Sequence, residues 1–278
     1  MEETERMGYT SAFLPPSAPT SMGMNATPRF RVILRRRFLR TMQPYSSQPQ
    51  PAWIDGQTVE GQLRERAMFR SVFGWMFVGL LLTAASSLWV VTSPAMQQLV
   101  LGNPFAVWIL FLAEILLVVN LSWRLTKLSP AAAAASFLIF SLLNGLSLSG
   151  IAFVYTRASI AQAFIVGAGM FGAMALFGAV TKRDLTSWGS FFFMGLIGIL
   201  LIGFINIFLH SPALSFAFSA IGVLVFVGLT AYDAQTIKRM ATVSGPMREN
   251  VAIIGALRLY LDFINLFLML LRLFGRRR

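Results

Sequence analysis

Charged side chains inside apolar runs are the first candidates for chemistry, because a charge at bilayer depth costs about 3 kcal/mol or more unless it is paired or hydrated. Beyond residue 66 the acids are Glu114, Asp184, Asp233, Glu249 and Asp262. Asp262 stands at the centre of the apolar string LRLYLDFINLFL, and Arg258, Asp262 and Asn265 recur at i, i+4 and i+7. That spacing puts one polar stripe on an otherwise apolar helix. The stripe either lines an interior path or is Arg258 neutralising Asp262 within its own helix. Asp233, in AYDAQ, closes another apolar run and reads as an interfacial cap or as a buried site. If Asp233 and Asp262 meet across two helices, both do not readily ionise together in a low dielectric, and they tend to share a proton. Loss of that proton leaves acceptor-only carboxylates, which repel or capture a hard cation through oxygen. Such a pair would couple pH to cation passage.

Glu114 falls mid-way along another apolar run, ~15 Å from either end at a rise of about 1.5 Å per residue, and must face a bundle interior. Arg124, at the end of that run, either snorkels to the headgroups or turns inward to a carboxylate. Asn144, Ser147 and Ser149 add neutral oxygens, as path lining or as glue between helices. Asp184 and Glu249 lie among basic residues and read as solvated surface groups.

The elements that position these groups are transmembrane helices. The chain of 278 residues is 56% hydrophobic and 12% charged, half the charge of an average soluble domain at about 25%, and its mean hydropathy is +0.68. Seven apolar segments are long enough to span a bilayer: Phe69–Val91, Phe105–Leu121, Pro130–Thr156, Ala158–Val180, Trp188–His210, Leu214–Tyr232 and Val251–Phe274. The alternating strands of a membrane barrel are not seen. Pro94, Pro104, Pro130, Pro212 and Pro246 fall at segment edges or in loops, where a missing N–H costs little. The expectation is an all-α integral membrane protein with seven transmembrane helices. Gly167, Gly169, Gly172 and Gly178, and then Gly195, Gly198 and Gly203, offer sites for close helix approach.

Arg124 and Lys127, Lys182 and Arg183, and Lys238, Arg239 and Arg248 mark the second, fourth and sixth connections, whereas the other three hold only Arg157 and His210. The positive-inside rule then predicts a cytoplasmic amino terminus. Arg276, Arg277 and Arg278 disagree with seven crossings, so a last segment that re-enters without crossing is an alternative. Residues 1–66 are rich in Pro, Ser, Thr and Gln and read as a disordered basic tail. Its stretch RFRVILRRRFLR (29–40) reads as a basic membrane-surface patch without the apolar run of a signal peptide. An alternative is that translation starts at Met42 and residues 1–41 are a start-site artefact. Residues 67–278 form the membrane domain.

The net charge of +12 suits a membrane surface, because the cations cluster before and between the spans, and nucleic acid is not an expected partner. Absence of cysteine excludes disulfides, thiolate metal sites and thiol nucleophiles. An enzyme is not expected: the sole histidine, His210, lies at a helix end, Ser149 has no base near it in sequence, and the last segment has no lysine for a Schiff base. No glycine-rich phosphate loop is present, and no cofactor is implied.

The strings SLLNGLSLS (141–149), TKRDLTSWG (181–189), AYDAQTIK (231–238) and LYLDFINLFLMLLRLFG (259–275), in this order, resemble the Bax-inhibitor-like family of seven-helix membrane proteins. The likeness covers about residues 60 to 275. It implies a bundle with the last helix central and a pH-sensitive calcium leak, with calcium as the permeant ion, bound transiently at Asp233 and Asp262. By resemblance, Asp233 and Asp262 are the di-aspartyl proton sensor and Arg124 the arginine that latches to them in the closed form. Glu114 is similar in position to a family acid of the second helix; Arg258, Asn265 and Asn144 are candidate path residues. The expected partners are the lipid bilayer, the permeant cation and other membrane proteins. Absent cysteine and abundant arginine suggest a bacterial inner membrane. The competing reading is an interaction protein that modulates membrane proteolysis or stress and cell-death responses without transport, working through its basic tail and loops.

Overall fold

Each long apolar run becomes a helix because lipid offers no partner for the backbone, so every N–H and C=O must be satisfied within the segment. The computed structural model describes residues 59–124, 127–243, 245 and 247–278. Among the described residues the helices are α1 (Val59–Thr92), α2 (Pro94–Val100), α3 (Pro104–Trp123), α4 (Pro130–Leu148), α5 (Ile151–Val154), α6 (Arg157–Val180), α7 (Thr186–Leu209), α8 (Pro212–Met240) and α9 (Met247–Phe274). Seven spans are long and apolar enough to cross a membrane, α4 and α5 together forming one of them.

Local chemistry sets the helix starts. Ser93, Asn103, Ser129 and Ser211 accept a hydrogen bond from a backbone N–H of the first turn, and in each case a proline occupies the start of the helix that follows. This combination satisfies one orphan donor and places the ring where no N–H is needed. Thr156 caps α6 in the same way without a proline. His210 closes α7 in a left-handed conformation, φ 50°, which is uncommon for a residue with a Cβ.

The expected segments are all present, with three differences of extent. α1 begins at Val59, so residues 59–66, assigned to the tail by composition, are helical; the rest of the tail, with the patch at 29–40 and the start-site question, lies outside the described residues. The short α2 occupies the first loop. α8 continues past Tyr232 to Met240, because its polar end packs on neighbouring loops and never needs to be apolar.

α9 packs on α8, α1, α6 and α4, with α3 and α7 at the periphery on α4 and α8. In its most apolar stretch 78% of residues are buried, against 6% in α3 and in α7. The last helix is therefore central, as expected. It is unbroken over 28 residues, about 42 Å at the α-helical rise. After α9 the chain pairs with Tyr155, at the end opposite the α8–α9 loop. The last segment is thus one continuous helix, long and apolar enough to cross a membrane. The outer faces of α3 and α7 expose Trp108, Ile109, Leu116, Phe204 and Ile207, as a lipid contact surface would.

Only part of the glycine pattern is used for packing. A Cβ on Gly178 would run into the Ala231 backbone of α8, and one on Gly145 into Ser86 and the Thr83 carbonyl of α1, whereas Gly169, Gly172 and Gly198 have nothing beside them.

Candidate functional site

Asp262 and Asp233 come together where α9 crosses α8. Both are buried, at 5% and 8% exposure. Arg258 links them, since it reaches Asp233 across the crossing and lies one turn from Asp262 on α9. The continuation of α8 to Met240 matters here: Asp233 is an interior residue of that helix and not its cap. Arg258 points its Nη1 to Asp233 Oδ1 at 3.7 Å, with its own side chain 43% exposed. The ion pair therefore runs across helices to Asp233, and not within α9 to Asp262 as one of the two readings of the i, i+4 spacing had it. Asp262 Oδ2 is buried without a hydrogen-bond partner. A buried acceptor in that state costs about 1–3 kcal/mol, which marks the carboxylate as a place for a proton or a cation.

The proposed latch residue lies elsewhere. Arg124 is the exposed C-cap of α3, and the cation beside the carboxylate pair is Arg258. The reason is packing: α3 lies on α4 at the rim of the bundle, whereas Arg258 is carried by the central helix. Asn265, third in the polar stripe, turns its Nδ2 to the Leu261 carbonyl of its own helix at 2.8 Å and joins neither aspartate.

Glu114 forms a second polar centre, separate from the first. Ser147 donates to Glu114 Oε1 at 2.5 Å and Asn144 Nδ2 donates to Oε2 at 3.1 Å. The Tyr260 hydroxyl donates to Asn144 Oδ1 at 2.9 Å. With that proton committed, Thr83 is the donor in its 2.6 Å bond to Tyr260, and the carbonyls of Gly79 and Ser141, each at 2.9 Å, are its alternative acceptors. A directed chain, Thr83 to Tyr260 to Asn144 to Glu114, thus joins α1, α9, α4 and α3. Glu114 does face inward as expected, although it is half-buried and held by α4. Ser149 is spent on the Leu146 carbonyl at 2.6 Å.

The end of α8 grips the α6–α7 loop. Gln235 accepts from the Leu185 N–H at 2.8 Å and donates to the Arg183 carbonyl at 2.7 Å. Lys238 donates to the Ala179 carbonyl at 2.9 Å and lies 3.8 Å from Glu65 of α1. Asp184 accepts from the Thr186 hydroxyl and N–H at 2.6 and 2.9 Å and pairs with Arg239. The Thr186 bonds, with Arg239 behind them, hold its carboxyl down at about 2. Asp184 is therefore a surface group with partners, and Glu249 is exposed in the first turn of α9.

Sequence reasoning missed Tyr260, Thr83 and Gln235. Tyr260 counts as apolar in a hydropathy window, and its one signal was a hydroxyl two residues from Asp262. Among the described residues no three His, Asp or Glu side chains gather as a metal cluster, so any cation at the site would meet two carboxylates and backbone or water oxygens.

The fold and the buried acid pair define a polytopic all-α membrane protein with ionisable groups at its centre. The family described as Inhibitor of apoptosis-promoting Bax1 matches residues 65–278. The chain belongs to this Bax-inhibitor family. It is 51% identical over 211 residues to the inner membrane protein YbhL of Escherichia coli, covering 74% of this chain and 90% of that one. An uncharacterized protein of Rickettsia prowazekii is 40% identical over 215 residues, covering 77% of this chain and 91% of its own. An uncharacterized protein of Caulobacter vibrioides is 37% identical over 239 residues, 82% of this chain and 95% of its own.

Proposed function

We propose that the protein is a pH-sensitive cation leak of a bacterial inner membrane, with calcium as its permeant ion and with Asp233 and Asp262 as its proton sensor. The observation that carries this reading is the juxtaposition of two buried carboxylates with a single arginine at the crossing of α8 and α9. Two carboxylates and one guanidinium sum to a net charge of −1, and one bound proton brings the cluster to neutrality. In a low dielectric the neutral state closes comfortably around itself. Deprotonation leaves one uncompensated negative charge, and the unpartnered Oδ2 of Asp262 is the atom that must find a cation or move. Arg258, 43% exposed, is the member of the cluster nearest the surface, so a path to the pair would pass it first. In the closed state Arg258, rather than Arg124, holds Asp233; Arg124 acts only if α3 shifts inward. The inner-membrane location rests on YbhL, and the cytoplasmic amino terminus rests on the loop charges.

The test is calcium-dye flux into liposomes carrying the full chain as the outside pH is stepped from about 8 to about 6. Asp233→Asn and Asp262→Asn are compared with the unaltered protein, each checked for folding by size exclusion. A pH-dependent flux that both substitutions alter is the expected result. No flux at any pH from well-folded protein would sink the leak and favour an interaction protein that works through its basic loops.

A further inference from the structure

The end of the bundle opposite the lysine- and arginine-rich loops carries its own positive charge, on a stretch of chain whose backbone is tied down. Beyond Gly275 the chain forms an antiparallel bridge between Tyr155 and Arg277. The Thr156 N–H donates to the Arg276 carbonyl at 3.1 Å, the Arg278 N–H to the Val154 carbonyl at 3.0 Å, and the Arg276 N–H to Ser159 Oγ at 2.9 Å. One turn earlier the Arg272 guanidinium lies over the Phe218 ring, 5.1 Å from its centroid. Arg272 and Arg277 flank a cavity of about 590 Å³ whose other polar groups include His210, Ser215 and Ser219.

No acid lines that cavity, and among the described residues no ion pair includes Arg272, Arg276, Arg277 or Arg278. Glu114 is engaged by Asn144 and Ser147 instead. The charges are not topological anchors either, since the positive-inside rule places anchors at the other end. Guanidinium groups carried on a backbone held in place, with no acidic side chain lining the cavity beside them, make a site for an anion. Arginine's planar fork suits the oxygens of phosphate, which it meets two at a time. The volume lies in the range of small-ligand pockets, about 300–1,000 Å³. Ile151, Phe216 and Leu268 line the same cavity, so the cationic rim continues into an apolar wall, the complement of an amphiphile.

We propose that this cavity, between the start of α8 and the end of α9, binds a phosphate-bearing anion through Arg272 and Arg277. The anion is either the phosphodiester of an anionic phospholipid, its acyl chain running along the apolar wall, or free phosphate. The full chain, stripped of lipid in detergent micelles, is titrated with palmitoyl-oleoyl phosphatidylglycerol or with the matched phosphatidylcholine, and adducts are counted by native mass spectrometry. Unaltered protein is expected to hold phosphatidylglycerol more tightly by about tenfold, the worth of one charge-assisted hydrogen bond. R272Q/R277Q loses that preference, and R272K/R277K, which keeps the charges without the two-point contact, keeps only part of it. Where R272Q/R277Q does not run as a folded species, R277Q alone gives the reading, since Arg277 lies outside every helix. A parallel arm follows the melting temperature in inorganic phosphate: a rise that R277Q abolishes identifies a free-phosphate site, and no rise alongside selective adducts identifies a lipid site. Equal binding of the two lipids together with no phosphate effect, or a preference that survives in folded R272Q/R277Q, overturns the proposal.

Discussion

Replacing Tyr260 with Phe removes one oxygen from the centre of the bundle and nothing else. The ring is fully buried and meets Phe137 and Phe140 edge-on, at 5.9 and 5.6 Å between centroids. Phenylalanine keeps both contacts. The hydroxyl makes two hydrogen bonds, to Asn144 and Thr83. Bonds of this kind between membrane helices average about 0.6 kcal/mol each, so their joint loss is about 1.2 kcal/mol. Thr83 can redirect its proton to the carbonyls of Gly79 or Ser141, and most of the cost therefore falls on Asn144. Tyr260→Ala opens the aromatic cluster as well and should cost about 3–5 kcal/mol, as large aromatic truncations do. The assay is reversible unfolding in mixed micelles as a function of denaturing detergent, with a double-mutant cycle of Tyr260→Phe and Asn144→Ala. The cycle should return a coupling of about 0.6 kcal/mol. Stability of Tyr260→Phe equal to that of the unaltered protein, or as low as that of Tyr260→Ala, would refute the assignment of Tyr260 as the link between Thr83 and Asn144.

Two further outcomes follow from packing and from charge. Gly178→Ala, whose methyl would collide with the α8 backbone at Ala231, should lower the melting temperature, whereas Gly172→Ala, which meets nothing, should leave it unchanged or raised; equal effects in thermal unfolding would contradict the close approach of α6 and α8. Asp184, held at about 2 against an ordinary 3.8, has a lowered folded-state value, so its contribution is present above the unfolded value and is lost as pH falls through about 2. Asp184→Asn should therefore reduce the melting temperature slightly at pH near 7 and lose that effect near pH 2, about where both states bind the proton; a difference unchanged by pH would be inconsistent with the Thr186 and Arg239 contacts.

The carboxylate pair was readable because a charge within an apolar run contradicts the hydropathy around it, and such a contradiction needs no knowledge of neighbours. Spacing also gave the stripe of Arg258, Asp262 and Asn265. What spacing could not give is the register between helices. Arg258 had two nearby readings in sequence, a partner four residues on or none, and the partner it has lies on α8. Arg124 shows the same limit: its helix was readable, but its place at the rim is a matter of tertiary order. The extent of α8 escaped hydropathy because Gln235, Lys238 and Arg239 are polar, yet they stay helical by binding the α6–α7 loop. Tyr260 escaped because its ring suits an apolar run while its hydroxyl does the joining.

The central position of α9 has a consequence for biogenesis. The helix that touches α1, α4, α6 and α8 comes after all of them in chain order, so it leaves the ribosome after its partners. Until it inserts, the earlier helices surround a vacancy: Thr83 and Asn144 lack the tyrosine that joins them, and Asp233 lacks its arginine. A nascent chain halted before residue 247 is then a set of helices with exposed polar seams in lipid, which is what membrane quality control would be expected to recognise.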